Sequence, residues 1–171
     1  MGAASAQRIV ERGYAEVVLL DIVEGLAPGK ALDILQSAPV LNAEIRLTGT
    51  SDYKDIADSE LVIVTAGLFR KPGMTRDELL LANTKIVSGV IANIVKYSPQ
   101  SIILMVSNPL DVTTYIAYQV LGARRERVMG MAGGLDTARF CTFIAWELGC
   151  APTEVQAMVL GGHGDSMVPL P

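Results

Sequence analysis

The stretch "LVIVTAGLFRKPGMTRDELLLANTKIVSGVIANIVKYSPQSIILMV", residues 61–106, sets two short apolar runs on either side of a long helical pattern. Leu61–Val64 and Ile102–Val106 have strand length and are apolar without alternation. Such runs suit strands buried on both faces. Between them Leu79, Leu80, Ile86, Val87, Val90, Ile91 and Ile94 keep three-and-four spacing, which predicts a helix over Arg76–Tyr97. Thr75 followed by Glu78 fits a capping box, and Ser98-Pro99 marks the end.

The same alternation extends through the chain. Val17–Leu20, Ile45–Thr48 and Val155–Leu160 read as further strands, with a shorter one at Arg127–Gly130. Ala3–Arg12, Gly29–Gln36, Pro109–Leu121 and Leu135–Leu148 read as helices. The expected fold is α/β, a doubly wound parallel sheet with helices on both faces. No repeat and no low-complexity segment interrupts it.

Half of the 171 residues are hydrophobic and 19% are charged, which builds a substantial core and excludes disorder. The net charge of −4 offers no footprint for nucleic acid. No apolar run in the sequence approaches membrane-spanning length, so no membrane partner is expected. Cys141 and Cys150 lack the spacing of a metal site and read as packed thiols in a reducing compartment. No metal is expected. The amino terminus has no signal-peptide pattern.

Several residues could carry chemistry, each with a plainer alternative. His163 is the only histidine and stands between Gly162 and Gly164, a position equally open to an ordinary surface loop. Asp21 comes directly after "EVVLL", where nucleotide-binding sheets receive a ribose hydroxyl; a turn aspartate explains it as well. Residues 66–76, "AGLFRKPGMTR", carry Arg70, Lys71 and Arg76 on a glycine-bounded loop suited to closing over an anion, or simply to solvent. Arg76 at a helix amino end is electrostatically odd unless an anion answers it.

Asn108 precedes Pro109 at a strand end, where its amide can reach a rim crevice; turn chemistry alone also suits the pair, and the peptide is expected to be trans. Asp136 and Arg139 share a helix face three residues apart, either as an exposed pair or as an orienter of histidine beside a carboxylate clamp. No serine lies in a nucleophile-elbow context. One acid/base candidate, one carboxylate and several arginines together fit hydride exchange between a 2-hydroxy acid and its 2-oxo acid.

Taken in order, "VVLLDIVEG", "RKPGMTRDELL", "NPLD", "GLDTARF" and "GGHGDSMVPLP" resemble the lactate/malate dehydrogenase family. The likeness leans towards its lactate-dehydrogenase-like bacterial malate dehydrogenases. It implies a Rossmann NAD-binding domain over residues 1–130, then the start of an α+β substrate domain over 131–171. It also implies reversible NAD-dependent oxidation of (S)-malate to oxaloacetate, a tricarboxylic acid cycle reaction.

By the same resemblance, His163 would move the proton and Asp136 would hold its tautomer. Arg139 would bind the substrate's C1 carboxylate, Arg76 would polarise the carbonyl, and Asn108 would sit against substrate and nicotinamide. Gly2, Asp21, Asn83 and Asn108 would contact NAD, with Asp21 refusing a 2′-phosphate. Arg70 matches the discriminating position, where arginine suits a second carboxylate and glutamine suits the methyl group of pyruvate. Lactate dehydrogenase, or a catalytically silent nucleotide-binding module, are the alternatives.

The resemblance also implies a cytoplasmic homodimer or homotetramer. "MGAASAQRIV" resembles the segment at the end of the family's G-x-G-x-x-G turn, with Gly2 as its third glycine. The first strand would then precede Met1, and most of the substrate domain would lie beyond Pro171. The sheet is expected to lack its first strand, leaving a gap. The 171 residues alone are expected to be weakly active or inactive.

Overall fold

The computed structural model describes residues 1–69 and 71–170, with the side chain of Arg76 also outside the description. Arg70, expected to choose the substrate, is therefore outside the described residues. The order of elements is α1 (Gly2–Glu11), β1 (Val17–Leu20), α2 (Leu26–Leu35), α3 (Ala38–Leu41), β2 (Leu47–Thr50), β3 (Leu61–Val64), α4 (Arg76–Tyr97), β4 (Ile102–Met105), α5 (Leu110–Val120), β5 (Val128–Gly130), α6 (Gly133–Leu148), β6 (Met158–Gly161) and β7 (Met167–Leu170).

Two parallel blocks form the α/β part, β1–β2 and β3–β4–β5. In the first, Val17 is in register with Leu47 and Leu20 with Thr50. In the second, Leu61 pairs with Ile102 and Ile103 with Val128. Among the described residues β1 and β3 do not pair, so the expected gap persists. Side chains reach across it: Val18 and Leu20 pack against the core of the larger block.

That larger core gathers Val64, Ile103 and Met105 from the strands with Val87, Ile91 and Ile94 from α4. The capping box at Thr75 and Glu78 forms as the spacing predicts. α4 has the length and apolar composition of a membrane-crossing helix. Here its Val87–Ile91–Ile94 stripe is fully buried in the core. The smaller core joins Ala6 and Val10 of α1, Ala31 and Ile34 of α2, and Leu47 of β2. Gly49 lets α2 lie directly on β2, since a Cβ there would fall 2.3 Å from the carbonyl oxygen of Ala27.

Several boundaries differ from expectation. The strand expected at Ile45 starts at Leu47, where pairing with Val17 begins. The strand expected from Val155 starts at Met158, because residues 152–154 turn into a single 3₁₀ turn closed by Glu154 on the Ala151 N–H. Met167–Leu170, where no strand was expected, forms β7, antiparallel to β6. The Asn108–Pro109 peptide is cis, correcting the expected trans form. A tertiary amide is the one place where cis costs little. Side-chain bonds to the carbonyls of Ser107 and Asn108 hold the turn in place.

Candidate active site

The rim at the carboxyl ends of β3 and β4 is tied by buried polar side chains. Asn83, 2% exposed on α4, accepts the Leu68 N–H at 2.8 Å and donates to the Asn108 carbonyl at 2.9 Å. A single amide thereby joins the glycine-rich loop to the turn that bears Asn108. Ser107 donates to the Ala66 carbonyl at 2.5 Å, and Thr113, fully buried in α5, donates to the Ser107 carbonyl at 2.8 Å. Unsatisfied buried hydroxyls are costly, so these bonds fix the loop geometry.

His163 sits in the turn of the β6–β7 hairpin. Gly161 enters that turn at φ 90°, and a Cβ on it would lie 2.2 Å from the Ser166 carbonyl oxygen, so only glycine fits. The hairpin rests on α6, where Thr137 accepts the Val159 N–H at 3.0 Å. This seat brings His163 Nδ1 to 2.7 Å from Asp136 Oδ2 across 27 residues of chain. Asp136 occupies the first turn of α6, where the helix dipole favours a carboxylate. It is only 9% exposed, while His163 is 24% exposed.

A carboxylate accepts only, so Nδ1 carries the proton and Nε2 of the neutral ring is left as a base. Arg139 stands on the same helix with Nη1 3.4 Å from the other oxygen, Asp136 Oδ1. Its side chain is 59% exposed, leaving most of the guanidinium fork open to an anion. A cavity of about 250 Å³ opens beside His163 and Asp136, walled by Leu110, Thr114 and Gly130 on the side of α5 and β5.

Two family models match the chain: lactate/malate dehydrogenase, NAD binding domain, over residues 1–130, and lactate/malate dehydrogenase, alpha/beta C-terminal domain, over residues 134–170. The chain belongs to the lactate/malate dehydrogenase family. A malate dehydrogenase of Methanosarcina mazei is 52% identical over 171 residues, all of this chain and 56% of that protein. The chain thus spans little more than half the length of the curated relatives it matches.

Among solved structures, the apo malate dehydrogenase of Picrophilus torridus is 45% identical with a TM-score of 0.94, over 99% of this chain and 54% of that one. A lactate dehydrogenase of Cryptosporidium parvum, solved with lactic acid and β-nicotinamide adenine dinucleotide, is 42% identical with a TM-score of 0.91, over 98% of this chain and 53% of that one.

Two residues expected on the cofactor side, Gly2 and Asp21, lie beside the gap between the sheet blocks. Gly2 opens α1 between the two sheet blocks, where an added Cβ would lie 3.0 Å from Thr65 Oγ1 and 3.9 Å from Leu19 Cδ1. Backbone alone therefore reaches the rim there, as close approach of a pyrophosphate requires. Asp21 stands just past β1, with Oδ1 accepting the Val23 N–H at 2.9 Å. The turn role and a ribose role are compatible, because a carboxylate has a second oxygen.

Thus the structure brings His163, Asp136 and Arg139 together, places Asn108 and Asn83 on one rim, and sets Gly2 and Asp21 at the edges of the gap. Arg76 begins α4 below the loop. Sequence reasoning missed Asp111, which accepts the His163 N–H on Oδ2 at 2.9 Å. It was visible only as the last letter of "NPLD", with nothing to link it to a residue 52 positions away.

Proposed function

We propose that the protein is an NAD-dependent malate dehydrogenase, interconverting (S)-malate and oxaloacetate. One observation carries the reading: the sole histidine donates from Nδ1 to a nearly buried carboxylate, with a half-free arginine on the same helix. NAD, when bound, supplies the hydride acceptor. Residues 1–130 would hold it, with Gly2 admitting the pyrophosphate, Asp21 taking the ribose hydroxyls, and Asn83 and Asn108 bordering the nicotinamide end. The negative charge of Asp21 disfavours a 2′-phosphate, hence NADP.

Residues 131–171 open the substrate half. Nε2 of His163 removes the hydroxyl proton of malate, and Asp136 stabilises the imidazolium that results. Arg139 grips the C1 carboxylate in bidentate fashion. Arg76 polarises the carbonyl in the return direction, and Arg70 pairs with the second carboxylate. Facing the methyl group of pyruvate, that guanidinium would be buried without a partner, which is costly. The whole protein would work in the cytoplasm as a homodimer or homotetramer. Exposed Phe143 and Trp146, stacked edge-on along α6, suit such assembly.

The test is NADH oxidation with oxaloacetate and then with pyruvate, in the 171-residue chain and in the whole protein. Turnover by the whole protein favouring oxaloacetate, with weak or no turnover by the chain alone, is expected. Preference for pyruvate would make it a lactate dehydrogenase, and no turnover by the whole protein would make it a silent nucleotide-binding module. Arg70→Gln should move the preference towards pyruvate by about 100-fold or more; an unchanged ratio would remove Arg70 from its role.

A further inference from the structure

We propose that Asp111 is a positioning residue for His163, holding the backbone of the hairpin turn while Asp136 holds the ring. The proposal rests on the reading of His163 as the acid/base group. The imidazole is fixed at one atom of its ring, and the Gly161–Met167 pairing and the Gly164 N–H on the Gly162 carbonyl at 3.0 Å shape its carrier from within, without tying the turn to α5. The carrier is Gly161–Gly162–His163, two glycines with little conformational preference of their own. Something outside the hairpin has to set its height.

Asp111 does so. It lies in the first turn of α5, where the helix dipole favours a carboxylate, and Oδ2 accepts the His163 N–H at 2.9 Å. The same oxygen and the Ser166 hydroxyl pack against Gly162 so closely that a Cβ there would lie 3.2 Å from Asp111 Oδ2 and 2.7 Å from Ser166 Oγ. Glycine at 162 is thus the complement of the aspartate, allowing the turn to settle onto it. Because Asp111 is three residues beyond Asn108, the bond also joins the hairpin to the rim that carries the expected nicotinamide contact. Asn108 and His163 are thereby indexed to one short segment, Asn108–Asp111, whose carbonyls at Asn108 and Leu110 accept from Asn83 and Thr113. A backbone bond of this kind sets where the ring stands, and only from that position does Nδ1 reach Asp136, which sets which nitrogen is basic.

Since His163 is the only histidine, isotope-labelled histidine gives one backbone amide signal and one imidazole. In the unmodified protein the amide should resist hydrogen exchange and the neutral ring should be in the Nδ1–H tautomer. Asp111→Ala should speed amide exchange by about 10-fold or more, with the lost hydrogen bond, and should return the ring towards the mixed tautomers of free histidine. Asp111→Asn keeps an oxygen acceptor and should restore both signals.

In the turnover assay of the whole protein, Asp111→Ala should lower kcat by about 10- to 100-fold with KM nearly unchanged, the scale of a misplacement of about 1 Å. If Asp111→Ala does not fold, Gly162→Ala disturbs the same contact from the other side and should produce the same amide and tautomer changes. An unchanged amide and tautomer in a folded Asp111→Ala or Gly162→Ala protein overturns the proposal, even if the melting temperature falls. Wild-type turnover by His163→Gln would instead refute the acid/base reading and leave the amide result standing.

Discussion

Replacing Asp136 by Asn tests the ring contact with almost no change in volume. Under the proposed mechanism His163 is neutral before malate oxidation and cationic as the proton arrives. The carboxylate at 2.7 Å is then its counter-charge. Two unit charges with centres about 4 Å apart interact by about 4 kcal/mol at an effective dielectric of about 20. Arg139, 3.4 Å from the second oxygen, offsets part of this, but it is 59% exposed and solvent screens it.

A charge-assisted hydrogen bond is worth about 1.5–3 kcal/mol, and about 2–3 kcal/mol is the sum left for the transition state. At about 1.4 kcal/mol per factor of ten, Asp136→Asn should lower kcat about 30- to 150-fold. An amide can also donate to Nδ1 and hold the opposite tautomer, which deepens the loss. The assay is steady-state malate oxidation by the whole protein across a range of malate, which separates kcat from KM. A kcat within about threefold of wild type would refute the argument that buried charge at Asp136 drives the proton transfer.

Other contacts lead to outcomes of their own. Arg139→Lys keeps the charge but removes the planar fork, so KM for oxaloacetate should rise about 10- to 100-fold while kcat changes less; equal KM values in steady-state assays would count against a bidentate clamp. Gly49→Ala would set a Cβ 2.3 Å from Ala27 O and 2.6 Å from Pro28 Cα, backbone atoms that cannot rotate away. Overpacking of this severity costs about 3 kcal/mol, and thermal denaturation should show the transition of the smaller block lowered by about 12–24 °C. Glu78 is held below the ordinary carboxylate range by the Thr75 backbone N–H and then by the Thr75 hydroxyl. Its folded-state pKa is depressed, so its contribution is present above the unfolded value and lost as pH falls through the folded one. The gap in melting temperature between wild type and Glu78→Gln should therefore close as acid is added below the ordinary carboxylate pKa.

The parallel blocks were legible because Leu61–Val64 and Ile102–Met105 are apolar throughout, and beyond the exposed leading Leu61 and Ile102 their residues are partly or fully buried. α4 was legible to its end residues, since its cap is local chemistry between Thr75 and Glu78. β7 was not: Pro169 disfavours a strand reading, and β7 pairs only with β6 among the described residues, placing exposed Pro169 opposite buried Val159. The cis bond at Pro109 lies in a turn whose carbonyls are bonded from α4 and α5, contacts that no dipeptide reveals.

At the site, Asp136 and Arg139 could be paired from helical spacing alone. Bringing His163 to Asp136 took the family resemblance, because nothing local joins residues 27 apart. Asp111 lay beyond both routes, since its partner is a backbone N–H, which every residue but proline carries.

The seam between β1 and β3 has a consequence for how the molecule comes apart. Each sheet block has a core of its own, and among the described residues side chains such as Val18, Leu20 and Ile56 cross between them. With no β1–β3 ladder among the described residues, the smaller block of the 171 residues taken alone should melt as a separate cooperative unit, earlier than the larger one. A dinucleotide held by Asp21 on one flank and Asn108 on the other would act as a clasp, since binding only the closed form raises its stability. Adding NADH should then merge two unfolding transitions into one.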